Sequence, residues 1–208
     1  MARRDVLDLA VLGLLHDTPM HGYELRKRLA GVLGPFRALS FGTLYPCLRQ
    51  LLDRGWVVEQ HSAAQRPTSD RTGSAAAGPN VATRRGRIVY ELTATGKEHF
   101  ETLIAEGGPT SWDDESFGVR FSFFARTEAG VRLRILEGRR SRLEERLDTI
   151  GASVARGRER ADAYTLELQR HGLESVQREV RWLSELITAE RATDTTDTTT
   201  TATRKTTT

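Results

Sequence analysis

The sequence predicts a mainly α fold in two parts: an N-terminal domain of helices carrying a two-stranded hairpin, followed by an α-helical domain built for association. Three observations lead there. Apolar residues recur at helical spacing along most of the chain, and after residue 106 their rhythm changes to a sustained step of three and four residues. Runs with strand character are confined to Trp56–Gln60 and Arg87–Leu92. Between the two parts, Gly107-Gly108-Pro109 supplies a strong local break. The predicted division is therefore 1–106 and 107–190, with a Thr-rich tail at 191–208.

The first helix, capped by Asp5 and ending near His16, places Val6, Leu7, Leu9, Ala10, Val11, Leu14 and Leu15 almost all round its axis, so it belongs inside the core. Asp17-Thr18-Pro19-Met20 is a turn, because Pro19 biases Thr18 away from helix and has no amide hydrogen to continue the ladder. A second helix, from His21 or Gly22 to about Leu33, turns Leu25, Leu29 and Val32 inward and Arg26, Lys27 and Arg28 outward; Gly34-Pro35 stops it. The third lies between Ser40 and Arg54. At about 100° per residue, Leu44, Leu48, Leu51 and Leu52 share one sector. Gly42, Pro46, Arg49, Gln50 and Asp53 lie opposite, with Thr43 at the edge. One face packs and the other is free to read something. Pro46 is cheapest in a first turn, which points to Thr43 as the cap; Ser40 is the competing cap, at the cost of a distorted opening turn.

Gly55 ends that helix, and the two strand-like runs then pair as a hairpin. Its connection, residues 62–86, is mostly Ala, Ser, Thr, Gly, Pro and Arg, a composition that buries too little surface to order itself. Thr93 caps a further helix to Ala105, with Phe100, Leu103 and Ile104 on its apolar side. In the second half, Leu133, Leu136, Arg140, Leu143, Leu147, Ile150 and Val154 form a heptad seam whose one charged member is Arg140. Leu173, Val176, Val180, Leu183 and Ile187 repeat the spacing, widened by Trp182 and Leu186. These stripes could satisfy each other within one chain, but so small a helical domain buries little alone, which favours pairing with a second subunit. The tail from Thr193 has no aliphatic larger than Ala and is expected to be disordered.

The composition excludes several classes of function. A lone Cys47 cannot form an internal disulfide or a thiolate zinc site, and fits a reducing cytoplasm. His16, His21, His61, His99 and His171 are scattered without metal spacing, phosphate-binding Gly loops are absent, and Asp113-Asp114-Glu115 reads as a solvated linker, so no enzyme, metal or cofactor is expected. The apolar stretch Val6–Leu15 contains Asp8, which argues against a membrane span or signal peptide. The net charge of +3 is unevenly placed: residues 1–106 hold 14 Lys/Arg against 11 Asp/Glu, and residues 107–208 hold 17 of each. Residues 62–87 carry Arg66, Arg71, Arg84, Arg85 and Arg87 against Asp70 alone, which suits either a polyanion or a solvated loop.

Three helices, a hairpin with a basic tip, a helix behind it and an association arm make the plan of a winged helix-turn-helix with a dimerisation domain. That plan suggests double-stranded DNA as partner, the third helix entering the major groove and the wing lying along phosphates; a winged helix used for protein contacts is the alternative. Arg49 suits guanine and Gln50 adenine, although Arg49 also has Asp53 within reach at i+4.

Two motifs sharpen this reading. Pro19-Met20-His21-Gly22-Tyr23-Glu24-Leu25 and Ser40-Phe41-Gly42-Thr43-Leu44-Tyr45-Pro46-Cys47-Leu48 strongly resemble the PadR family of transcriptional regulators. The similarity continues through Gly55-Trp56-Val57 and Thr93-Ala94-Thr95-Gly96; looser matches from Phe117 to Phe124, at Leu136–Arg140 and from Gly172 to Leu183 are similar to the branch with the larger C-terminal domain. The resemblance implies a homodimeric repressor that binds an inverted repeat in a promoter and, in some members, is released by a small aromatic or drug-like effector. It places Tyr23, Ser40, Gly42, Thr43, Tyr45 and Pro46 at DNA-facing motif positions. Tyr45 sits on the border between packing and reading, so a buried Tyr and a phosphate donor remain alternatives. The long 62–86 connection departs from the family's short wing, leaving Arg84, Arg85 and Arg87, beside the second strand, as its expected phosphate contacts. Candidates for the dimer or effector surface are Phe117, Phe121, Phe124, Leu143, Leu147, Trp182, Leu183 and Leu186, with Trp112 and Phe123 as further aromatics that could line a cavity.

Overall fold

The computed structural model describes residues 3–33, 41–61, 88–157 and 162–205. Its elements follow as α1 (Arg3–Asp17), β1 (Met20–His21), α2 (Gly22–Leu33), α3 (Phe41–Asp53), β2 (Val57–His61), β3 (Ile88–Leu92), α4 (Ala94–Ala105), α5 (Phe117–Phe121), α6 (Ala129–Gly157) and α7 (Ala163–Lys205). This is a mainly α chain with a winged helix-turn-helix at its amino end. Gly34-Pro35, Ser40, the 62–86 connection and Arg84, Arg85 and Arg87 lie outside the described residues.

The predicted central helix is central: Val6 to Leu15 are buried on every side of α1. It begins at Arg3, so Asp5 stands in its first turn rather than capping it. Against α1 pack Leu25 and Leu29 of α2, Leu44, Leu48 and Leu51 of α3, and Phe100 and Ile104 of α4. The sheet is antiparallel in the order β1-β3-β2, with Val57 opposite Leu92 and His61 opposite Ile88. β1 is a strand that the turn reading missed. It adds Met20 opposite Tyr90 and His21 opposite Val89 to the free edge of β3. Two residues are too few to show a period of two; the strand exists because β3 offers it a ladder.

The punctuation of the helices follows backbone chemistry. α3 closes in a Schellman motif: the Trp56 amide donates to Leu51 O at 3.0 Å, the Gly55 amide to Leu52 O at 2.9 Å, and Gly55 takes φ +70°. Thr93 caps α4 as expected, its Oγ1 accepting from the Gly96 amide at 3.0 Å. Pro46 behaves otherwise. α3 starts at Phe41, so Pro46 sits in its second turn, where the missing amide leaves the Gly42 carbonyl without an intrahelical donor. Thr43 is therefore inside the helix rather than its cap.

Two compact units divide the chain: Met1–Ile104 with Gly118–Phe123, and Ala105–Phe117 with Phe124–Thr208. The first division falls just before the predicted break, and Gly118–Phe123 rejoins the N-terminal unit. There Phe123 meets Phe100 edge-on at 5.5 Å and covers Gly13, where a Cβ would come within 2.2 Å of its ring. Buried Arg120 donates to Leu103 O at 2.8 Å. Phe123 is thus core, not part of a ligand cavity.

In the second unit α6 and α7 run antiparallel, tied by Arg132–Glu190 at 2.7 Å and Arg139–Glu179 at 2.8 Å. The two apolar stripes meet inside one chain: Leu136, Leu143, Leu183 and Ile187 are buried there. They do not require a second subunit to leave water. The buried cation is Arg139, not Arg140. Val131, Ile135 and Arg139 face inward at successive steps of four, and a one-residue error turns a helical side chain by about 100°. α7 also runs on to Lys205, past the point where disorder was expected. Thr costs a helix only tenths of a kcal/mol per residue, and no Gly or Pro follows Gly172 to interrupt a helix already nucleated. The Thr193 hydroxyl bonds back to Glu190 O at 2.8 Å.

Candidate nucleic-acid interface

α3 divides as its periodicity requires. Leu44, Cys47, Leu48 and Leu51 are buried, whereas Gly42, Thr43, Pro46, Arg49 and Asp53 are exposed and Gln50 is half-exposed. Tyr45, left between two readings by its angle, is 42% exposed, so its ring borders the outer face. Arg49 is exposed, and among the described residues it forms no ion pair with Asp53.

The neighbouring elements hold this face. Tyr23 is 72% exposed at the amino end of α2, and Lys27 is exposed one turn later. Sequence reading grouped Lys27 with the outer cations but did not single it out; its signal was the i+4 spacing from Tyr23. Gly22 permits a close approach: a Cβ there would stand 3.5 Å from the Tyr45 hydroxyl and 3.4 Å from the Tyr90 ring. Burial pushes the Tyr90 hydroxyl up to about 12, with Glu59 and Tyr45 adding to the effect, and it donates to Glu59 on β2. His21 Nδ1 lies 3.2 Å from Ile88 O, fixing β1 to β3.

Inside the unit, Cys47 donates its thiol hydrogen to Asp8 Oδ1 at 3.2 Å, and Arg54 approaches Asp8 Oδ2 at 3.6 Å. Burial and the Asp8 carboxylate push the Cys47 thiol far up, the opposite of what a nucleophile or redox sensor needs.

The second-half candidates are distributed rather than gathered. Phe117 is buried, lies edge-on to Trp182 at 6.3 Å, and receives the Arg139 guanidinium at 5.3 Å. Leu143 and Leu183 are buried, Phe121, Phe124, Leu147 and Leu186 are half-buried, and Trp182 is 39% exposed. Trp112 covers Gly138, where a Cβ would meet its ring at 2.5 Å. A cleft of about 450 Å³ on α6 is lined instead by Asp114, Arg142, Leu143, Glu145, Arg146 and Thr149. Its cations are answered by Asp113 and Asp114, so it is no aromatic cage.

Residues 11–71 match the model of the transcriptional regulator PadR-like family, a span holding α2, the whole of α3 and the first wing strand. Over this span the chain is similar to the PadR-like family of transcriptional regulators. That family is one of transcriptional regulators, and the exposed face of α3 lies within the matched span. Among solved structures, Bacillus subtilis PadR in complex with operator DNA is 19% identical over 89% of this chain and 99% of its own, with a TM-score of 0.37. The same regulator in complex with p-coumaric acid is 18% identical over the same shares, at 0.37. A PadR-like regulator from Bacillus cereus is 19% identical over 89% of this chain and 98% of its own, also at 0.37. No curated protein is significantly similar to the chain. Among the described residues, no helix is long and apolar enough to cross a membrane.

Proposed function

We propose that the protein is a homodimeric repressor that binds an inverted repeat in promoter DNA through the outer face of α3, and lets go when a small aromatic or drug-like effector binds. The division of α3 carries this reading: its leucines are sealed in the core while Gly42, Thr43, Pro46 and Arg49 stand exposed on the other side. A helix so placed enters the major groove, where Arg49 suits the O6 and N7 of guanine and Gln50 suits adenine. Gly42 lets the duplex come close to the backbone, with Thr43, Tyr45 and Pro46 beside it on α3, and Ser40 is assigned to the same DNA-facing set from its motif position. Tyr23 and Lys27 on α2 suit phosphates, as do Arg84, Arg85 and Arg87 in the wing, the rest of the 62–86 connection acting as a tether. In the dimer the two copies of α3 sit about 34 Å apart, one turn of DNA. The effector is assigned to the second unit, around Phe117 and Trp182, with Phe124, Leu147 and Leu186 in that same unit; the cytoplasm, where the promoter is, is the expected location.

A gel shift of the gene's own upstream DNA by the pure protein is the deciding test. Retardation of a fragment containing an inverted repeat, and not of random DNA, is expected; no retardation at low salt overturns the proposal. An Arg84/Arg85/Arg87 triple Ala variant should weaken binding to all sequences alike, whereas Gln50→Ala should relax preference at one position per half-site. Phenolic acids and cationic drugs, screened for a rise in melting temperature, test the effector.

A further inference from the structure

We infer that Asp8 sets the rotation of α3 about its own axis, and so decides which side chains that helix presents to DNA: it is a positioning residue for the reading face. The inference rests on the DNA-reading role of α3 proposed above.

Asp8 is the one charged residue between Val6 and Leu15, and it is buried with them. From there its two oxygens reach α3 at Cys47 and the residue that immediately follows the helix, Arg54. Oδ1 accepts from Cys47 at 3.2 Å, and Oδ2 faces Arg54 at 3.6 Å. These residues are seven apart, two turns of helix, so both grips lie on one face and resist the same motion. The rest of the core that α1 and α3 share is apolar, with Val6, Ala10 and Val11 among the α1 residues and Leu44, Leu48 and Leu51 on α3, and that attraction has no direction and tolerates a roll of the helix. Such a roll matters outside. With side chains reaching about 5–6 Å from the axis, a rotation of about 20° moves an outward group by about 2 Å, more than the tolerance of a base-edge hydrogen bond.

The second grip is itself anchored. The Arg54 guanidinium lies over the Trp56 ring at 4.9 Å, and Trp56 stacks on His99 of α4 at 3.6 Å and 19°. α3 is thereby referred to α1 through Asp8 and to α4 through the stack. A buried carboxylate is a poor device for stability alone, since an apolar residue of similar size commonly does as well or better. What it adds is direction.

The test compares dissociation constants for operator and random DNA at one salt concentration, alongside melting temperatures. Asp8→Leu and Cys47→Ala are expected to lower discrimination by about tenfold, the effect of losing one good base contact, while the melting temperature holds or rises. Asp8→Asn, which keeps shape and an acceptor, should fall between, and Cys47→Ser, which keeps a donor, should restore wild-type discrimination. Loss of melting temperature with discrimination unchanged would make Asp8 merely structural and overturn the inference. A wild type that prefers no sequence defeats the DNA-reading proposal instead. In that event NOEs from Leu44 and Leu48 to α1 still decide the matter: an altered pattern in Asp8→Leu supports the positioning role, and an unaltered one ends it.

Discussion

Gly55, just after α3, and Gly96, in the first turn of α4, are needed for different reasons. Gly55 has φ +70° and open space around it, so Gly55→Ala should cost about 1–2 kcal/mol through backbone conformation alone. At Gly96 the φ is unremarkable but a Cβ would stand 2.1 Å from the Trp56 carbonyl oxygen, a backbone atom that cannot swing aside. Gly96→Ala should therefore cost more, at the upper end of the ~1–3 kcal/mol typical of overpacking, and should disturb the Thr93–Trp56 amide bond. Urea midpoints of the two variants check this; equal losses would contradict it. Gly55 was legible as the end of a helical pattern, whereas Gly96 was not, because what it touches lies forty residues away. Asp8 shows the same limit. Its place in an apolar helix marked it as unusual, but not which residues it would hold.

Among the elements, α6 illustrates how far a period carries. The spacing found the helix and its inward side, yet it named Arg140 as the seam's cation where Arg139 is the one enclosed by Asp114, Glu179, the Trp112 carbonyl and the Phe117 ring. Arg139→Ala leaves Glu179 and the part-buried Trp112 carbonyl unanswered and should destabilise the helical unit by about 1–3 kcal/mol. Arg142→Ala, whose partner Asp113 is also accessible, should stay within ~1 kcal/mol. Chemical denaturation followed by helical signal separates the two. The carboxylates predict opposite responses to acid. Burial raises the Asp8 carboxyl, against the lowering effects of Cys47, Arg54 and His99 and with a small push from Asp5. The folded state therefore holds the Asp8 proton more readily, and this group's contribution is present at low pH and lost as pH rises through its raised value. The hydrogen bond from Arg139, aided by Arg146 and Arg142, holds Asp114 below the usual carboxylate range, so its contribution is present at neutral pH and lost on acidification. Wild type should gain stability relative to Asp8→Asn, and lose it relative to Asp114→Asn, between neutrality and about pH 4. Urea midpoints at several pH values test both signs.

For the assembled protein, the exposure of Tyr164 (90%), Leu168 (72%) and Trp182 (39%) on α7 bears on self-association. The intrachain seam buries Leu143 and Leu183, so a dimer must use other apolar groups, and among the described residues of α7 these three are large apolar groups with exposed surface. Sedimentation should give a dimer, and Tyr164→Glu with Leu168→Glu should shift it toward monomer without changing helical content; a monomeric wild type would remove the paired-α3 geometry. Affinity for DNA should fall linearly on a plot of log K against log salt, with a slope set by the phosphates neutralised. The Arg84/Arg85/Arg87 triple Ala variant should flatten that slope, because these side chains answer phosphates rather than bases.

The amino-acid sequence by itself determined the helices and their inward faces, the cap at Thr93, the stop at Gly55, the hairpin, and the outward set on α3 later found exposed. All of these rest on local backbone chemistry or on the repetition of apolar residues along one element, which a chain carries wherever it folds. Only the tertiary structure decided that β1 pairs with β3, that Gly118–Phe123 rejoins the first unit, that Arg139 rather than Arg140 is enclosed, and that Asp8 holds Cys47 and Arg54. Each depends on groups far apart in the chain meeting within a few ångströms, and no spacing along a single sequence encodes that meeting.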